Sequence, residues 1–133
     1  YMTGQAVARA TATHLSVNLN IVERKFGYRF GTPNHDLDWA EDPPGGESMQ
    51  EFIDRTRLGV MQACALGPCP AIVAHGGNLR VIAAGLGTDL PDGSVGNATP
   101  LKFTRNGGKW VLEFVGGIAA VTSTASASTT AVS

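Results

Sequence analysis

A chain of 133 residues is long enough for one domain with a core of its own. With 43% hydrophobic and 16% charged residues the composition is globular, and a formal net charge of −1 argues against a nucleic-acid footprint. No apolar run is long enough to cross a bilayer.

Tyr1-Met2-Thr3 reads as the end of a strand, with Gly4 as punctuation. Residues 5–15 are Ala-rich, with Ala8, Ala12 and Leu15 at helical spacing, which predicts a helix. Asn18 and Asn20 end it. Residues 19–22 then read as a short strand leading into Glu23-Arg24-Lys25-Phe26-Gly27. Residues 28–46, rich in proline, glycine and acids, read as a surface loop with Trp39 folded back on the body. Seven of the 11 acids fall between Asp36 and Asp54, an acidic face whose ordinary role is solvation.

Ser48-Met49-Gln50-Glu51 has capping-box spacing: the serine oxygen accepts from the N–H three residues on, and Glu51 reaches back. The helix it opens runs to about Leu66, with Phe52, Thr56, Gly59 and Val60 near one face and Arg55 flanking it. Gly67-Pro68-Cys69-Pro70 stops it. Ala71-Ile72-Val73-Ala74 reads as a buried strand, His75-Gly76-Gly77 as a sharp turn, and residues 78–86 as a helix. Strand, helix and strand in that order predict a right-handed crossover and a parallel sheet.

Residues 87–96 read as loop. Beyond them, 101–104 and 109–115 flank Arg105-Asn106-Gly107-Gly108, a hairpin signal built on an Asn-Gly turn. Trp110, Leu112 and Phe114 share one face of its second strand. Residues 1–117 thus form the expected domain. Residues 118–133, nearly all Ala, Ser, Thr and Val, form a low-complexity tail with no expected chemistry. Cys64 and Cys69, separated by four residues, match neither a redox pair nor a zinc knuckle, and read as two thiols of a reduced cytoplasmic protein. The chain opens on Tyr1 rather than methionine, so a trimmed start or a longer gene product is expected.

Four polar positions carry candidate chemistry. His75, at the carboxyl end of a strand and beside glycines, stands where open α/β sheets bind ligands. The helix after it offers free N–H donors and partial positive charge to an anion such as phosphate. Arg9 sits in the first helix, Glu23 follows the short strand, and Glu47 precedes the capping serine. Each has an ordinary alternative: a loop histidine, a surface arginine, a Glu23-Arg24 surface pair, and a glutamate favouring a helix dipole. No Gly-x-Ser-x-Gly elbow exists for an α/β-hydrolase; Gly46-Glu47-Ser48-Met49 and Gly93-Ser94-Val95-Gly96 lack the spacing. His14, His35 and His75 lie on unrelated segments, so no zinc site is expected.

Arg9-Ala10-x-x-Thr13, Glu23-Arg24-x-Phe26-Gly27, Pro44-Gly45-Gly46-Glu47-Ser48 and Val73-Ala74-His75-Gly76 follow one another in that order. The succession resembles the histidine phosphatase superfamily, also called the phosphoglycerate mutase-like family, over about residues 1–115. The resemblance implies a three-layer α-β-α sandwich with a mostly parallel sheet, and a phosphomonoesterase that works through a phosphohistidine without cofactor or metal. It further implies that Arg9 clamps the phosphoryl group and that His75, with Gly76 beside it, donates to phosphoryl oxygens. Glu23 would protonate the leaving oxygen. Arg80 receives no role and reads as a helix anchor. These residue types suit the chemistry, since a dianion calls for a planar bidentate cation and a rigid ring of donors.

One departure stands out: the chain contains no Arg-His-Gly, the family's nucleophile motif. Its first strand and nucleophile loop are expected to come before Tyr1. A sheet lacking a central strand leaves a gap in the core, which a further segment or a homodimer would fill. The alternative is a non-catalytic phosphate-binding domain or a truncated, inactive member. The short loop before Pro44 lacks the paired arginines of the mutase branch, and Phe26 stands where mutases often have tyrosine. Both differences favour a phosphatase. The expected ligands are a small phosphorylated substrate or inorganic phosphate, with no nucleic acid and no membrane.

Overall fold

The computed structural model describes residues 1–33, 36–90 and 96–115. Two compact units divide the chain, residues 1–86 and 87–133. His35 and the expected tail at 118–133 lie outside the described residues.

The first unit opens with a helix, α1 (Met2–Thr11), where the sequence had suggested a strand end and a later helix start. Ala12 stops it in the left-handed conformation (φ 51°), and its N–H meets the carbonyl of Arg9. The chain then turns back so that Leu15 packs against Gly4. Residues 19–22 do not form the expected strand. Leu19–Ile21 is a 3-10 turn, because Asn18 caps it through the N–H of Asn20 and spends its amide on the Gly59 carbonyl and Gln62. Gly59 allows this approach: a Cβ there would lie 2.5 Å from Ile21.

Helix α2 (Met49–Ala65) starts on the complete capping box of Ser48 and Glu51. It buries Phe52, Thr56 and Gly59, one stripe at helical spacing, against the 19–21 turn and helix α3 (Gly76–Leu86). From α3 come Gly77, Asn78 and Ala83. Among the described residues the buried hydrophobic side chains are only Phe52 and Ala83, while Arg24, Glu47, Thr56 and Asn78 are buried and polar. The centre of this unit is therefore mainly polar.

The expected parallel sheet is absent from the described residues. Residues 71–74 lead into α3 without regular secondary structure and make no backbone hydrogen bond among the described residues, and Val73 is 47% exposed. A strand exists only through its neighbour, and the two other segments expected to supply one, 1–3 and 19–22, lie at the start of α1 and at the 3-10 turn instead.

The second unit contains the one sheet of the described residues, an antiparallel hairpin of β1 (Leu101–Asn106) and β2 (Lys109–Phe114). Asn106 pairs with Lys109, so the loop is Gly107-Gly108 rather than the expected Asn-Gly. Both glycines have positive φ (54° and 85°), the mirror-image turn whose twist matches the strands. Leu101 opposes Phe114 and Phe103 opposes Leu112; these four are half-buried. Trp110, on the same face of β2, stays more exposed.

Candidate functional site

The Glu23 segment is fixed from three sides. Arg24, almost fully buried, donates to the carbonyls of Glu47 (3.1 Å), Trp39 (2.6 Å) and Glu41 (2.9 Å), so one guanidinium gathers the 39–47 stretch around it. Arg55 reaches from α2 to the carbonyls of Asn20, Val22 and Glu23, and grips Glu47 bidentately at 2.6 and 2.7 Å. The loop from 28 to 46 closes on itself through the Tyr28 N–H to Pro44 and the Glu47 N–H to Lys25. Within it Trp39 does fold back, edge-on to Phe26 with ring centres 5.1 Å apart.

Glu47 shows how the two arginines differ from surface cations. Burial alone would push its carboxyl up. The hydrogen bonds from Arg55 and the Lys25 backbone, with the positive charges of both, hold it below its ordinary value. The sequence suggested Glu47 as a helix-dipole partner; its structural partner is Arg55.

His75 ends the irregular segment at the mouth of α3, where its carbonyl accepts the Leu79 N–H. Its imidazole Nδ1 lies 3.8 Å from Glu23 Oε2, with side-chain exposures of 63% and 34%. Glu23 Oε1 accepts the Arg24 N–H at 3.0 Å and lies over Gly77. A Cβ on Gly77 would come within 2.5 Å of that oxygen and 2.9 Å of the Trp39 ring, so the second glycine after His75 makes room for the carboxylate. The result is an imidazole and a carboxylate, 52 residues apart in sequence, meeting at a helix N-terminus next to an indole.

Among the described residues no hydrogen bond or ion pair joins the other expected site residues to the His75 and Glu23 side chains. Arg9 is exposed in the last turn of α1, and its side chain makes no hydrogen bond or ion pair among the described residues. Its charge suits the helix dipole. Gly76 is exposed at the first position of α3. Arg80 is exposed, and its side chain is likewise without a partner among the described residues. A groove of about 520 Å³ lined by Lys25, Glu47, Glu51, Asp54, Arg55 and Leu58 includes neither His75 nor Glu23, and its three carboxylates disfavour an anion. Among the described residues no cluster of three or more His, Cys, Asp or Glu side chains could hold a metal ion. No helix there is long and apolar enough to cross a membrane.

Sequence reasoning missed Asn78 and the central position of Arg24 and Arg55. Asn78 is fully buried on α3 and is hydrogen-bonded to Val22, Thr56 and His75. The available signal was weak: a polar residue three positions after the histidine, and an arginine flanking the Phe52–Thr56 stripe. A family model described as "Histidine phosphatase superfamily (branch 1)" matches residues 3–116. Comparison with curated proteins found no match, and neither did comparison with solved structures.

Proposed function

Because the chain belongs to the histidine phosphatase superfamily, branch 1, we propose that it is the supporting half of a phosphomonoesterase site. His75 donates to the phosphoryl oxygens, Glu23 protonates the leaving oxygen, and Arg9 supplies the cation. The nucleophilic histidine comes from outside these 133 residues, since none of the three present stands in an Arg-His-Gly motif. In the first step its imidazole nitrogen forms a bond to phosphorus. The bond from phosphorus to the ester oxygen breaks, and the Glu23 proton goes to that oxygen. Water then cleaves the phosphohistidine, with Glu23 taking up the water proton.

What supports this reading is the meeting of His75 and Glu23 at the start of α3. A donor and an acid on one side of a helix N-terminus are what a phosphate monoester requires. The pair is looser than a hydrogen bond, as catalytic contacts often are before substrate closes them.

The test is hydrolysis of p-nitrophenyl phosphate, with chelator present, by protein that carries an upstream Arg-His-Gly segment. His75→Ala is expected to lower kcat by about 10²-fold or more, the scale of losing one preorganised donor to developing charge. Full activity in that variant removes His75 from the mechanism. The 133-residue chain alone is expected to bind inorganic phosphate without turnover, and turnover by it would show that the nucleophile lies within the chain.

A further inference from the structure

We infer, on the reading of Glu23 and His75 just given, that Asn78 is the positioning residue that sets the imidazole against the carboxylate. Its side chain has no solvent exposure. Its Nδ2 donates to the Val22 carbonyl at 3.2 Å and to Thr56 Oγ1 at 3.1 Å. Its Oδ1 accepts the backbone N–H of His75 at 3.3 Å. The Val22 carbonyl belongs to the peptide that joins Val22 to Glu23. One planar carboxamide therefore bonds to the backbone at both members of the pair.

The partners also fix which end is which. A carbonyl only accepts and a backbone N–H only donates, so the amide cannot be flipped without losing both bonds. Among the described residues no other side chain makes hydrogen bonds to both segments. Arg55 holds the carbonyls of Val22 and Glu23 but not His75. A leucine would fill a similar volume; what asparagine adds is direction, and in a dry interior an unpaired amide is costly enough to enforce it. The geometry it enforces has consequences, because a misplacement of about 1 Å in a catalytic group can lower a rate by about 10²-fold.

The first test needs no turnover. In the 133-residue chain the nitrogen resonances of the His75 ring are recorded with and without Glu23→Gln, in the wild-type background and in Asn78→Ala. The expected displacement on Glu23→Gln is clear in the wild type and about threefold smaller in Asn78→Ala, as charge–dipole effects fall off with separation. Thr56→Val removes the amide's third partner without touching either segment, and should preserve the displacement; this separates positioning from plain loss of stability. If Asn78→Ala does not fold, the isosteric Asn78→Asp keeps the acceptor for His75 while losing the donor to Val22. Equal displacement in both backgrounds overturns the role of Asn78.

A second test separates this role from the function it serves. In protein that turns over phosphomonoesters, kcat is compared for p-nitrophenyl phosphate and for an alkyl phosphate, whose poorer leaving group needs the proton. Glu23→Gln and Asn78→Ala should each lower kcat about tenfold more on the alkyl ester, with KM little changed and no further loss when combined. Equal losses on both esters from Glu23→Gln overturn the reading of Glu23 as acid. Selective loss from Glu23→Gln with none from Asn78→Ala overturns the role of Asn78 alone.

Discussion

Two stretches of the first unit meet at His75 and are held in opposite ways. The polar knot around Arg24, Glu47, Arg55 and Asn78 has hydrogen-bond partners throughout, with Arg24, Glu47 and Asn78 buried and Arg55 half-buried. The segment at 71–74, more apolar in composition, lies largely exposed, with its backbone unpaired among the described residues. Hydrophobicity alone would have reversed the two. The difference is that guanidinium and carboxamide groups, once supplied with carbonyls, can close a small core locally, whereas a β segment has nothing to close against until another strand arrives.

The knot is where the largest change is expected. Arg24→Ala removes the donors to three carbonyls and leaves a cavity, so a loss of about 4 kcal/mol is expected in urea denaturation. Arg24→Lys should recover little, since a single ammonium cannot reproduce the planar fork. A change under about 1 kcal/mol for the alanine variant would mean that the 39–47 stretch is held by something other than this arginine.

That contrast also explains what was legible in the sequence. The capping box of Ser48 and Glu51 could be read because its geometry is decided within four residues. The hairpin could be read because its turn and alternating runs are contiguous, although the register placed Gly107-Gly108, not Asn106-Gly107, at its centre. The burial of Arg24 could not be read: its partners lie 15 to 23 residues away, and an arginine beside a glutamate looks like any surface pair. Residues 71–74 have a strand's composition, yet composition states a preference and not the presence of a neighbour. Of the candidate site, His75 and Glu23 were legible through family resemblance and do approach each other. Asn78, which bonds to the backbone on both sides, carried no mark in the sequence beyond its distance from the histidine.

A smaller effect is expected at Arg55, and it carries a pH signature. Arg55→Ala leaves the Glu47 carboxylate buried without its bidentate partner, a loss of about 3 kcal/mol at neutral pH. In the wild type, Glu47 is held below its ordinary value of 4.5, so near that pH the unfolded chain binds more protons than the folded one. Its contribution is complete above about pH 4.5 and fades as the pH falls through the lower folded value. Urea midpoints taken between pH 6 and pH 3 should therefore fall for the wild type, and fall less steeply for Glu47→Gln. Parallel slopes would assign the acid sensitivity to other carboxyls, such as Glu51, whose hydrogen bonds from the Ser48 backbone and hydroxyl also hold it low.

The smallest effect is expected at Val73, and it bears on how far the contrast persists in solution. With the side chain 47% exposed and no backbone pairing among the described residues, Val73→Thr should change stability by less than about 0.5 kcal/mol. The amides of residues 72–74 should exchange with solvent at close to unprotected rates, while those of Glu47 and Phe52, bonded to the Lys25 and Ser48 carbonyls, exchange far more slowly. Protection at 72–74 that grows with protein concentration would mean that the segment pairs with another chain as a sheet edge, the usual fate of an unpaired apolar strand. Protection independent of concentration would place its partner within the same chain. In either case the His75 mouth would be walled by that pairing, and Val73→Thr would then cost well above 0.5 kcal/mol, on the order of what a half-buried valine contributes.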